Sequence, residues 1–332
     1  MKNTISHRST LKQLGSRALI FTSLLLIGGC TANQQDTLFT EVISLARDSA
    51  GLEVKTAPAG DVNLTYMERQ SADIENAESI ILLHGFSANK DNWIRFTKAL
   101  DEKYHVIAVD LAGHGDSEKL LSTDYDLIKQ AERLDALITG LGIKQFHIAG
   151  NSMGGAISAI YSLNYPDKVK SLTLINAAGA DGKQPSEYYQ ALAKGNNPLI
   201  VTDEESFEYR NNFTMSQPPL LPWPLSSVLY RKTIARADIN KKIFTDILAT
   251  KQRLIKIHFH QSIQKTIANH QLPTLIMWGK EDRVLDVSAV DAFKELIPNA
   301  NVHIFEGVGH LPMIEIPNES AKVYQQFLST VE

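Results

Sequence analysis

Cysteine is almost missing from this chain of 332 residues: Cys30 stands alone, so no disulfide can form within it. No apolar run approaches the ~20 residues that a spanning helix needs. No low-complexity segment or internal repeat is visible, which argues against solenoids and arrays. Basic stripes are absent too. The 33 Lys and Arg face 37 Asp and Glu, a formal charge of −4; a mildly acidic body argues against nucleic acid as a partner. What remains is ordinary globular composition, 43% hydrophobic and 21% charged. The length allows one large domain with an insertion, or two small ones.

Acids are also missing before Asp36, while Lys2, Arg8, Lys12 and Arg17 come early. An apolar run follows from Ala18 to Ile27, then Gly28-Gly29-Cys30. A basic start, a short apolar stretch and small residues before a cut site describe a secretory signal. The small pair before cysteine resembles a bacterial lipobox, which implies cleavage before Cys30 and lipid on its sulfur and new amino group. Residues 1–29 are therefore read as a lipoprotein signal. Residues 30–50 are read as a tether with a short helix, Leu38 to Ala46. Thr31 after the cysteine resembles the sorting pattern for the outer membrane. The expected location is a bacterial cell envelope with a lipid anchor; the alternative is an ordinary signal with an incidental cysteine, and a secreted protein. Losing residues 1–29 removes four basic residues and no acid, leaving −8.

Two alternating stretches, Gly51–Thr56 and Val62–Glu68, predict antiparallel edge strands. The pattern then changes to buried strands separated by amphipathic helices. Strands are expected at Ser79–Leu83, His105–Val109, Phe146–Ala149, Val169–Ile175, Thr274–Trp278 and Asn301–Phe305. Helices are expected at Trp93–Leu100, Leu127–Leu141, Ser152–Asn164, Val287–Leu296 and Ser320–Leu328. Continuous apolar strands joined by helices mean a mostly parallel, doubly wound sheet covered on both faces. The rhythm breaks between Ile175 and Thr274. That gap holds helical stretches (Ser186–Leu192, Asp203–Asn211, Asp238–Gln252, Arg253–Thr266) and the segment Pro218-Pro219-Leu220-Leu221-Pro222-Trp223-Pro224. The expected organisation is a core of residues 51–178 and 270–332 with a helical cap at 179–269.

Residues 150–155 read Gly-Asn-Ser-Met-Gly-Gly. This is a G-x-S-x-G pentapeptide between a strand and a helix. That context puts Ser152 on a strained turn, its hydroxyl presented at the helix start. A serine needs a base, and the base needs an orienting acid. In chain order, Ser is then followed by an acid and a His. Trp278-Gly279-Lys280-Glu281-Asp282-Arg283 and Gly307-Val308-Gly309-His310 supply them at strand C-termini, where such sheets bind ligands. Asp282 is the expected acid, with Glu281, Asp286 and Asp181 as competitors, and His310 the base. For the oxyanion, Met153 N–H and Phe86 N–H (in His84-Gly85-Phe86-Ser87) are the expected donors. A glycine loop, Asp110–Ser117, belongs near the crevice. His258 and His260 form an H-x-H with no third ligand, read as structural rather than metal-binding. No metal or organic cofactor is expected.

With these residues together, the chain resembles the α/β-hydrolase superfamily over nearly all of residues 50–330. It is similar to bacterial family V lipases, which cleave triacylglycerols, and to monoacylglycerol lipases. The resemblance rests on Leu83–Phe86, Asn89–Trp93, Gly150–Gly155, Trp278–Asp282 and Val308–Met313. It implies the α/β-hydrolase fold with a helical cap, a lipase or esterase acting on acylglycerols at a lipid interface, and the triad Ser152, Asp282, His310. It also implies the donors Phe86 and Met153. His114 departs from it, since the lipases more often carry an aromatic there. Rival expectations are a short-chain esterase, a C–C bond hydrolase of ring-cleavage products, a perhydrolase, and a binding protein on a dead scaffold. Ser152 excludes epoxide hydrolases and dehalogenases, which need Asp there. The cap residues Phe213, Met215, Leu220, Leu221, Trp223 and Tyr230 either pack as core, or line an acyl pocket or touch lipid.

Overall fold

The computed structural model describes residues 31–74, 77–256 and 259–331; residues 1–29, Cys30 and His258 lie outside them. Among the described residues, eight strands form one sheet: β1 (Glu53–Ala59), β2 (Val62–Arg69), β3 (Ser79–Leu83), β4 (His105–Val109), β5 (Phe146–Asn151), β6 (Val169–Ile175), β7 (Thr274–Gly279) and β8 (Asn301–Phe305). Their order is β1-β2-β4-β3-β5-β6-β7-β8. β2 runs antiparallel to β1 and β4, and the other pairs are parallel. The sheet is thus mostly parallel, as the apolar runs predict. β1 begins two residues later than expected because Gly51, at φ +68°, turns the chain before the strand begins.

The helices are α1 (Ala32–Asp48), α2 (Ile94–Ala99), α3 (Leu127–Gly140), α4 (Met153–Asn164), α5 (Glu187–Ala193), α6 (Glu204–Thr214), α7 (Leu225–Ile234), α8 (Ala237–Lys256), α9 (Phe259–His270), α10 (Ala289–Leu296), α11 (Pro312–Glu315) and α12 (Pro317–Leu328). α12 begins three residues before the expected Ser320 because Pro317 is preorganised for a first helical turn. Side chains alternate across each strand, and both faces are covered. Ile81, Leu83, Ile107 and Ile148 pack with Leu134 of α3 and Ile157 of α4. Ile80, Leu82, Val106 and Ala149 pack with Phe96 of α2 and with Tyr324 and Leu328 of α12. This is why the strands read as unbroken apolar runs.

Helices α5–α9 fill the stretch between β6 and β7. The N-terminal segment differs from the expected tether. Its helix spans 17 residues instead of Leu38 to Ala46, and begins with a capping box on Thr31. It is docked: Arg47 makes a two-pronged pair with Asp91 (2.9 and 2.8 Å), and Asp36 accepts from Arg231 of α7 at 2.6 Å. No helix among the described residues is long and apolar enough to cross a membrane.

Candidate active site

Ser152 joins β5 to α4 at φ +55°, ψ −119°. Such a conformation costs a non-glycine residue about 1–3 kcal/mol and persists only where its surroundings enforce it. They do. The Ser152 N–H donates to the carbonyls of Ile175 (3.1 Å) and Asn176 (3.2 Å), and its own carbonyl accepts from Gly155, Ala156 and Ala178. The strand and helix touch: a Cβ at Gly150 would lie 2.1 Å from the Gly154 carbonyl oxygen, and one at Gly154 would lie 2.4 Å from that of Leu83.

His310 follows β8. Its N–H donates to Thr214 at 2.8 Å, and its carbonyl accepts from the Asn151 side-chain amide at 3.0 Å. His310 Nδ1 donates to Asp282 Oδ2 at 2.7 Å, both groups buried. That bond leaves Nε2 as the ring nitrogen without the acid, and His310 and Ser152 line one cleft. The Asp282 carboxylate is filled. Oδ1 accepts the N–H of Val284 (2.8 Å) and Leu285 (3.0 Å), while Oδ2 also accepts the Asn176 side-chain amide at 2.7 Å. Of the competing acids, Glu281 accepts the Val308 N–H (2.9 Å), Asp286 accepts the Ser288 N–H (2.9 Å), and Asp181 lines a cavity that Ser152 borders but His310 does not.

Asn176 is a residue that sequence reasoning missed. Its backbone has φ +43°, its amide nitrogen holds Asp282, and its Oδ1 accepts the Gly279 N–H at 3.2 Å. It ties the ends of β6 and β7 to the acid. The only sequence signal was its place at the end of a buried strand. Glu315 was missed as well. Its carboxylate accepts N–H from Gly309 and Leu311, which flank His310, and from Ser216 and Gln217 after α6.

The loop after β3 passes against Ser152: a Cβ at Gly85 would sit 3.0 Å from Ser152 Cβ. His84 Nδ1 donates to the Gly85 carbonyl at 2.7 Å, and its Nε2 accepts the Leu111 N–H at 3.1 Å. This imidazole is neutral, since burial pushes its pKa down to about 4. In a planar trans peptide the N–H points opposite to the C=O. Anchoring the Gly85 carbonyl on His84 therefore aims the Phe86 N–H the other way. The Met153 N–H is the first of α4 and has no intrahelical acceptor. The glycine loop stands one layer behind. His114 packs on His84 (5.0 Å) and edge-on to Phe86 (6.2 Å), and Asp110 accepts from both the backbone and the ammonium of the buried Lys90 (2.7 and 2.8 Å).

Ser152 also borders an apolar cavity of about 460 Å³, walled by Leu127, Ala156, Phe244, Ile247, Leu254 and Leu285. The apolar side chains of the segment between β6 and β7 divide. Phe213 is buried and Tyr230 packs on Phe207, whereas Leu220 is 94% and Trp223 56% exposed; Met215 and Leu221 line the cleft shared with His310. His260 donates to the Gly179 carbonyl at 2.6 Å. Among the described residues no group of three His, Cys, Asp or Glu could hold a metal ion.

A serine on a strand–helix elbow, sharing one cleft with the histidine of a buried His–Asp pair at the end of a mostly parallel sheet, defines a class. The chain belongs to the alpha/beta hydrolase fold family, whose model matches residues 78–317. It is 35% identical to Lipase 1 of Psychrobacter immobilis, across 97% of this chain and 98% of that one. It is 30% identical to human monoacylglycerol lipase ABHD6, across 86% and 85%. Among solved structures it is similar to a membrane phospholipase A described as a bacterial virulence factor, with a TM-score of 0.82 and 36% identity over 98% of this chain and 99% of the other.

Proposed function

We propose that this protein is a lipase-type serine carboxylester hydrolase that releases fatty acids from acylglycerols. The observation that carries the reading is the Asp282–His310 pair at 2.7 Å, in a cleft with Ser152, which also borders an apolar cavity. His310 Nε2 takes the Ser152 proton as Oγ attacks the ester carbonyl. Asp282 holds the imidazole in the right tautomer and stabilises its charged form. The N–H groups of Phe86 and Met153 receive the oxyanion. His310 then protonates the leaving alcohol. A water that it activates hydrolyses the acyl-enzyme, freeing the acid and restoring Ser152. The acyl chain occupies the apolar cavity. The lipase and monoacylglycerol lipase relatives support the choice of acylglycerols.

The test is hydrolysis of p-nitrophenyl esters from C2 to C16 and of emulsified triacylglycerol, by wild type and Ser152→Ala. Serine-dependent activity reaching long chains and emulsions is expected. Activity confined to short soluble esters would make it an esterase, and none at all would refute the reading.

We propose further that residues 1–29 are a lipoprotein signal and that Cys30 carries the lipid, anchoring the enzyme in a bacterial cell envelope at the outer membrane. The basic start, the apolar run and the lone cysteine support this. The exposed Leu220 and Trp223 support contact with a lipid interface. Mass spectrometry of the mature N-terminus should find acylated Cys30; a free start elsewhere overturns the anchor.

A further inference from the structure

Ser152 borders two cavities, one mainly apolar and one whose lining adds several charged side chains to its apolar ones. Beyond the apolar chamber, a second cleft of about 440 Å³ runs from Ser152 and His310 over the 85–92 loop to α6 and α7. Five cations line it, Arg47, Lys90, Arg210, Lys232 and Arg236, against two acids, Asp91 and Asp116. Both acids are already engaged. Asp91 pairs with Arg47 at 2.8 Å, and Lys90 bridges Asp116 (2.5 Å) and the buried Asp110 (2.8 Å). Among the described residues the other three cations form no ion pair with a carboxylate, although the charge of Arg236 also helps to lower Asp116. Arg210 donates to the Asn211 side chain at 3.0 Å and stacks on Phe207, Arg236 reaches the Gly115 carbonyl at 3.4 Å, and Lys232 lies over the Phe39 ring.

Two of these guanidinium groups work against each other. Arg210 is pushed down to about 10 by burial and by the charge of Arg236, and Lys119 is lowered by burial and by Arg236. A chain that is acidic overall thus concentrates unpaired positive charge beside its nucleophile. A planar fork of donors fits the oxygens of a phosphate, and an anion between like charges relieves their repulsion.

We propose that this cleft receives the phosphate of a glycerophosphate ester, bound by Arg210 and Arg236, while the acyl chain fills the apolar cavity and the ester carbonyl lies at Ser152. The proposal rests on the ester-hydrolase reading. The phosphate is held and not cleaved: the ester C–O bond breaks, the acyl group passes to Oγ, and the glycerophosphate alcohol leaves with the His310 proton. The substrate class is therefore an acylated glycerophosphate, with the cleft choosing on the alcohol side.

The full chain is assayed on 1-oleoylglycerol and 1-oleoylglycerol 3-phosphate in mixed neutral-detergent micelles. Wild type should favour the phosphate ester in kcat/KM. Arg210→Gln and Arg236→Gln should each lower that preference about tenfold, and Arg210→Lys should recover part of it. An unchanged preference, or equal loss on both esters, overturns the proposal. Glycerol 3-phosphate and inorganic phosphate are titrated separately into wild type and both Gln variants. Glycerol 3-phosphate binding that weakens in the variants supports the subsite even if neither ester is hydrolysed, an outcome that defeats only the hydrolase reading. Absence of glycerol 3-phosphate binding refutes the subsite. Binding of inorganic phosphate alone, with no preference between the esters, assigns the cleft to free phosphate and refutes the headgroup.

Discussion

Glu315 should set the position of His310 without touching substrate. Its Oε2 accepts the N–H groups of Ser216 (2.8 Å), Gln217 (2.9 Å) and Gly309 (3.1 Å), and its Oε1 accepts Leu311 at 3.3 Å. Both chain neighbours of His310 thus hang on one carboxylate, together with the segment after α6. That segment begins just beyond Thr214, whose carbonyl receives the His310 N–H. Glu315→Gln keeps the shape but turns one acceptor into a donor that faces backbone donors. Bonds to a charged acceptor contribute about 1.5–3 kcal/mol each when buried. These are partly exposed, so a stability loss of roughly 2–3 kcal/mol is expected. A shift of the imidazole by a fraction of an ångström to ~1 Å should lower kcat by 10–100-fold, with KM little changed. The assay pairs kcat and KM on p-nitrophenyl butyrate with a denaturant melt. A melt that weakens as expected beside a kcat within about twofold of wild type would refute a positioning role.

Acid should destabilise the fold through its buried imidazoles. Burial holds His84 at about 4 and His114 at about 3, against about 6.5 when unfolded. Below pH 6.5 the unfolded chain binds protons that the fold refuses, so stability is full above that value and drains as pH falls toward 4, by on the order of 3 kcal/mol for His84. His114→Phe should flatten the fall between pH 6.5 and 4 in denaturant melts; an unchanged slope would count against the assignment. Gly154→Ala should cost at least ~2 kcal/mol and most activity, because its Cβ meets the Leu83 and His84 carbonyl oxygens at 2.4 and 2.7 Å; a normal melt and full turnover would show that the elbow relaxes freely. Replacing Leu221 and Trp223 with Ser should lower activity on long-chain esters more than on short ones, and equal loss on both would sink their role at the lipid face.

The central strands were readable because a parallel sheet covered on both faces needs apolar strands, and β3 and β4 coincide with such runs. The elbow was readable because strand, turn and helix meet so closely there that residues 150 and 154 have no room for a side chain. The N-terminal helix was harder. Its docking rests on Arg231 and Asp91, which are remote in the chain and carry no local sign of the contact. Asn176 and Glu315 were silent for a similar reason: an amide at a strand end and a glutamate in a short helix are common, and their importance lies in which backbone groups they meet.

The sequence by itself determined the periods that lay down strands and helices, the tight Gly150–Gly155 turn, and the order of serine, acid and histidine. These are local properties, set by sterics and by the spacing of apolar side chains. It named Asp282 ahead of its neighbour Glu281, but it did not fix where either carboxylate points. Only the turn after β7 did, pointing one carboxylate at the Val308 backbone and the other at the imidazole 28 residues on. Nor did it bring Arg210 of α6 and Arg236, just before α8, to the same cleft as Ser152. Those juxtapositions come from packing between elements far apart in the chain, where the direction of each side chain depends on contacts that no local pattern encodes.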